Sequence, residues 1–82
     1  GGEEFTVLLP DTEKAAALAL AEKIRLQIAA LTPPVPVEGR ITISIGAATF
    51  PTDAKDGSEL LRKADLALYQ AKHTGRNKVV AA

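Results

Sequence analysis

The chain predicts an α/β (α+β) fold, and three features of the sequence carry that prediction. Phe5-Thr6-Val7-Leu8-Leu9 and Arg40-Ile41-Thr42-Ile43-Ser44-Ile45-Gly46 are β-prone, and the second alternates apolar with polar residues. Between them, Ala17, Leu20, Ala21, Ile24, Ile28 and Leu31 recur at spacings of three and four, the signature of one helix face. A second stripe of that kind, Leu61, Ala64, Leu68 and Ala71, follows the second strand. The order expected is strand, helix, strand, helix, strand, with no internal repeat.

Each element has its punctuation. Pro10 stops the first strand, and Asp11 or Thr12 is expected to cap the helix that runs to about Leu31, with Glu13 favouring its N-terminus. "TPPVP" ends that helix, because proline lacks the donor a helix needs and restricts the residue before it. In the second strand Ile41, Ile43 and Ile45 share one face and Thr42 and Ser44 the other. It continues less regularly to Phe50, and Pro51 closes it. Gly46 is expected at a bulge or a close approach. After the polar loop "TDAKDG", Ser58 is the expected N-cap of the second helix. Gly75 in "HTG" is the expected left-handed residue after its last turn. Lys78-Val79-Val80-Ala81 reads as a short last strand.

Composition narrows the function classes. A chain of 82 residues is one small domain, and 46% hydrophobic residues suit a globular fold rather than a disordered one. With Phe5, Phe50 and Tyr69 the only aromatics, the core falls to Leu, Ile, Val and Ala. The absence of cysteine excludes disulfides and thiolate metal sites, and the single His73 leaves no histidine cluster for zinc. No apolar run approaches the roughly 18 residues of a membrane span, no signal peptide is visible, and a cytoplasmic location is expected, in a parent protein that membrane tethering would also suit. A chain that starts Gly1-Gly2 and lacks methionine is expected to be cut from something longer.

The zero net charge is unevenly spread. Glu3, Glu4, Asp11, Glu13 and Glu22 against Lys14 leave the first 22 residues at −4; Arg62, Lys63, Lys72, Arg76 and Lys78 against Asp65 leave residues 60–82 at +4. Such ends suit a site that holds a metal and phosphates, and equally two surfaces that attract each other.

Two short stretches carry candidate chemistry. In "GGEEF" the glycines allow close approach of backbone to a ligand, and Glu3 and Glu4 stand at the lip of the first strand. One carboxylate is what magnesium commonly takes from a protein when it also binds substrate phosphates; the other reading of the stretch is a plain hairpin turn. In "YQAKHTGRNK", Lys72 and Arg76 are four apart, on one helix face unless the break at Gly75 swings Arg76 around the helix end. A mobile ammonium and a planar guanidinium together suit a triphosphate; as plain last-turn cations they would complement the helix dipole. Asp65, two turns before Lys72 on the same side, is expected to orient a base or pair with the last-turn cations, Tyr69 to be a packing residue with its hydroxyl at the edge, and His73 to sit exposed at the helix end.

"GGEEF", "SIGAA" and "ADLALYQAKHTGRNKV" in this order resemble the C-terminal half of a GGDEF domain, the diguanylate cyclase family, over essentially the whole of residues 1–82. The resemblance implies a partial nucleotidyl-cyclase-type, ferredoxin-like sheet with flanking helices. It implies condensation of two GTP molecules into cyclic di-GMP with release of two pyrophosphates, on Mg2+ (or Mn2+), across a homodimer in which each subunit presents one GTP. By that resemblance Glu3 is a metal-binding acid and Glu4 an acid beside the reacting groups, both assigned to catalysis and metal. Gly1 and Gly2 form the turn against the nucleotide, and Lys72 and Arg76 hold the terminal phosphates.

The resemblance also implies an N-terminal half, absent from these residues, that supplies another metal ligand, the guanine-reading residues, in many members an RxxD inhibitory site, and a strand between those at Phe5 and Ile41. Without that strand two apolar strands would carry unpaired backbone groups. The 82 residues alone are therefore expected to be inactive, with the flanking strands pairing directly or a second copy lending an edge. The alternative function is a non-catalytic GTP-binding, dimerisation or regulatory module; no motif residue is lost that would favour it.

Overall fold

The computed structural model describes residues 6–31 and 41–82. Among these the element order is α1 (Lys14–Ala29), β1 (Ile45–Ala47), α2 (Gly57–His73) and β2 (Val79–Ala81). This is the expected α+β class. β1 and β2 pair in parallel, Ile45 opposite Val79, Gly46 opposite Val80 and Ala47 opposite Ala81. The ladder is bounded by Ile45 N–H on the Lys78 carbonyl (2.9 Å) and Ala82 N–H on the Ala47 carbonyl (2.8 Å).

Each helix packs on both strands, and the helices do not approach each other. Two strands about 4.8 Å apart leave room for only one helix, about 10 Å wide, on each face. The helices therefore cover opposite faces, as a parallel pair requires. Gly46 allows this packing on the α2 side. A Cβ there would collide with the Leu68 amide nitrogen and the Ala64 carbonyl, and would lie 2.8 Å from Leu68 Cα. The expected close approach is thus a helix backbone laid directly on the strand.

The buried side chains among the described residues are correspondingly small: Ala21 of α1, Ala67 and Ala71 of α2, and Ala54 before α2. Ala17, Ile24 and Ile28 of the expected α1 stripe are half-buried beside Ala21, while Leu20 and Leu31 are exposed. On α2, Ala64, Leu68 and Ala71 face inward as expected, but Leu61 is exposed and Ala67 takes its place.

The boundaries shift for identifiable reasons. Thr6–Leu9 form no strand: no described segment pairs with them, and Val7 and Leu8 are 69% and 78% exposed. Direct pairing with the Ile41 segment is not found among the described residues. The chain then turns at Pro10–Asp11, with Asp11 at φ +51 and the Thr12 hydroxyl donating to the Pro10 carbonyl (2.9 Å). Both expected caps are thereby used up in the turn, and Glu13 becomes the N-cap without a side-chain bond. α1 closes at Ala30, and Leu31 N–H reaches back to Ile28 in a tighter last turn. The Ile41 strand is paired only over Ile45–Ala47, because β2 offers three partners. Ser58 is not the α2 cap. Asp56 accepts from Glu59 N–H (2.8 Å) and Glu59 Oε1 accepts from Lys55 N–H (3.1 Å), so two side chains take up backbone N–H groups at the helix start and fix it earlier.

Candidate functional site

α2 delivers the cationic cluster. Lys72 stands in its last turn, half-buried, with His73 beside it. The His73 ring stacks on Tyr69 (centroids 3.9 Å apart) and its Nδ1 lies 2.8 Å from the Tyr69 carbonyl. Tyr69 is 61% exposed, so it holds His73 rather than filling the core. Asp65 is exposed and lines an open groove of about 500 Å³ on the outer face of α2 with Leu61, Leu66 and Tyr69.

The helix ends through a glycine turn. Thr74 is the C-cap, Gly75 follows at φ +114, and Arg76 N–H bonds the Ala71 carbonyl (2.9 Å), the long bond of a Schellman motif. Arg76 and Asn77 are then also left-handed, at φ +60 and +49. Such a conformation costs a residue with a Cβ about 1–2 kcal/mol, least for asparagine. Arg76 is exposed just beyond the helix terminus. Of the two arrangements open to the pair, the break at Gly75 wins: Arg76 is carried past the helix end instead of continuing the face of Lys72.

A set of polar contacts holds this turn from behind. Arg25 of α1, 17% exposed at its side chain, donates from Nε to Glu22 (2.9 Å), pairs through Nη2 with the other Glu22 oxygen, and donates from Nη1 to Asn77 Oδ1 (3.0 Å). Asn77 N–H in turn donates to Ser44 Oγ, one residue before β1 (3.2 Å). The hydrogen bonds of the pair depress the Glu22 carboxyl and raise the Arg25 guanidinium, so both stay charged. At the other end of α1, Lys14 Nζ donates to Asp53 Oδ1 and to the Ala82 carbonyl, each at 2.8 Å, and Asp53 Oδ2 accepts from Thr49 N–H (2.9 Å). Lys14 first, then the Thr49 amide, hold the Asp53 carboxyl below its usual range. Glu22, Arg25, Ser44 and Asn77 were not among the expected site residues. The signals available were an i, i+3 Glu–Arg pair and an asparagine directly after Gly-Arg, a residue tolerant of positive φ.

Gly1, Gly2, Glu3 and Glu4 lie outside the described residues. Among the described residues no three His, Asp or Glu side chains gather to hold a metal. The donor chemistry of Glu3 and Glu4, adjacent hard carboxylates in a chain without cysteine, fits Mg2+ or Mn2+ and not a soft metal.

A family model described as "Diguanylate cyclase, GGDEF domain" matches residues 1–78. The chain is similar to a probable diguanylate cyclase, DgcT, of Escherichia coli K12, at 51% identity over 98% of the chain and 18% of that protein. It is 44% identical to the response regulator PleD of Caulobacter vibrioides, over 98% of the chain and 18% of the relative. It is 39% identical to diguanylate cyclase A of Treponema denticola, over 96% and 22%. The chain thus spans about a fifth of the length of the curated relatives it matches.

Proposed function

The chain belongs to the GGDEF domain family of diguanylate cyclases, and from that premise we propose that it is the C-terminal, phosphate-holding part of a domain that joins two GTP molecules into cyclic di-GMP. The observation that carries the reading is the turn after α2. It leaves the Arg76 guanidinium exposed beyond the helix end, within four residues of Lys72, in a chain whose other end bears Glu3 and Glu4.

In this reading Lys72 and Arg76 bind the β- and γ-phosphates. The 3′-hydroxyl oxygen of each GTP attacks the α-phosphorus of the other; two P–O bonds form, two pyrophosphates depart with the bonding electron pairs, and the two hydroxyl protons pass to solvent. The two cations therefore neutralise charge that grows on the leaving group. Glu3 and Glu4 would hold Mg2+ (or Mn2+), which when bound neutralises the phosphates and lowers the pKa of the attacking hydroxyl. Gly1 and Gly2 let backbone lie against the nucleotide. Two subunits, each presenting one GTP, bring the reactants face to face, and alignment supplies a large share of the rate. The proposal includes a cytoplasmic location, where GTP is available.

The test is cyclic di-GMP formation from GTP by the whole protein that carries this chain. Glu3→Gln should abolish turnover, and unchanged product formation would remove Glu3 from the metal site. GTP binding without any product from the unaltered protein would instead favour the non-catalytic module.

A further inference from the structure

We infer that Arg25, on α1, is a positioning residue for Arg76, acting through Asn77. The inference rests on the reading of Arg76 as a phosphate-binding residue. Three consecutive residues, Gly75, Arg76 and Asn77, hold positive φ. A run of this kind persists only where its surroundings fix it. The Ala71 carbonyl fixes Arg76 N–H and Ser44 Oγ fixes Asn77 N–H. The Asn77 side chain is fixed by Arg25 Nη1 at 3.0 Å, and the same nitrogen lies 3.5 Å from the Asn77 carbonyl.

Arg25 is able to do this because its other two nitrogens are spent on Glu22, one helical turn back. A guanidinium forked onto one carboxylate has its remaining edge aimed in a fixed direction. The chain of contacts from Glu22 through Arg25 to Asn77 therefore ties the orientation of α1 to the backbone that carries Arg76. Arg25 touches neither substrate nor metal in this scheme. It narrows the range of positions open to the Arg76 guanidinium, so that binding a phosphate need not first order the turn.

The experiment uses the whole protein, with steady-state kinetics on GTP and GMP as a competitive inhibitor. GMP lacks the terminal phosphates that Arg76 would meet. Arg25→Gln should raise KM for GTP about tenfold, the scale of one charge-assisted contact weakened. The inhibition constant of GMP should stay within about twofold, because a generally loosened fold would weaken both ligands while a misplaced Arg76 weakens only the longer one. Arg25→Lys should fall between, since an ammonium cannot fork two partners. Asn77→Gly removes the shorter, side-chain acceptor yet tolerates φ +49. It should reproduce the Arg25→Gln pattern, and it decides the matter if Arg25→Gln does not fold. Arg76→Ala should raise KM at least as much, with Arg25→Gln adding nothing in that background. An Arg76→Ala defect beside wild-type KM in Asn77→Gly and Arg25→Gln would overturn the positioning role alone. Unchanged KM in Arg76→Ala would overturn the phosphate role itself, and this inference with it.

Discussion

At the scale of single residues, the charged side chains divide into those that hold the fold and those left exposed at the helix end. Asp53 belongs to the first group: its carboxylate joins the start of α1, through Lys14, to the loop that leads into α2. Its pKa in the folded chain lies below the unfolded value. Between the two values the unfolded chain binds a proton that the folded chain does not. The stabilisation is complete above about pH 4, the ordinary aspartate value, and fades as the pH falls through the folded value. Asp53→Asn should lower stability at neutral pH and flatten the loss of stability below pH 4, in urea unfolding followed at both pH values. An unchanged slope on the acid side would place the acid-labile group elsewhere. Glu22 shares the direction of shift, but its greater exposure limits what it contributes. Asp53 was not legible as special from the sequence, because its partner Lys14 is 39 positions away.

At the scale of elements, α2 lays its backbone directly on β1, and Gly46 is the reason this is possible. The neighbours that a methyl group would strike are backbone atoms of a helix, which cannot rotate aside. Gly46→Ala must therefore lift α2 from the sheet. The expected cost is about 3 kcal/mol, the upper part of the range for overpacking. On a domain of this size that lowers the melting temperature by at least roughly 10 °C. A melting temperature within about 2 °C of the parent would show that α2 can shift freely. The sequence pointed to Gly46 as a bulge or a close approach, and the helix backbone above it decides for the second. The same scale explains the missed caps. Asp11, Thr12 and Ser58 are good capping residues by type. The competing turn at Pro10–Asp11, and the Asp56 and Glu59 side chains on the Glu59 and Lys55 N–H groups, settled the starts instead.

At the scale of the whole molecule, the described residues form a two-stranded sheet with a helix on each face, and the buried side chains are all alanine. Val7, Leu8, Leu26, Ile41, Phe50 and Leu66 remain exposed. Two paired strands are marginal by themselves, and apolar surface of this extent suits contact with further protein. We expect the 82 residues alone to make no cyclic di-GMP, while the whole protein does so. The check is product formation by the two at equal concentration, and turnover by the short chain would sink the expectation. No helix among the described residues is long and apolar enough to cross a membrane.

The sequence by itself determined the family and the order of helices and strands from α1 onward. Motif spacing and side-chain periodicity are local properties, written into neighbouring residues. It also marked Gly75 as the end of α2, because glycine adopts positive φ without the steric cost a Cβ brings. Tertiary structure alone decided which strand pairs with which, why Thr6–Leu9 pair with none of the described residues, and that Arg76 leaves the face of Lys72. It also brought Arg25 to Asn77 across 52 positions of chain. Pairing, burial and long-range hydrogen bonds depend on which distant segments the folded chain brings within a few ångströms, and no local pattern encodes that distance.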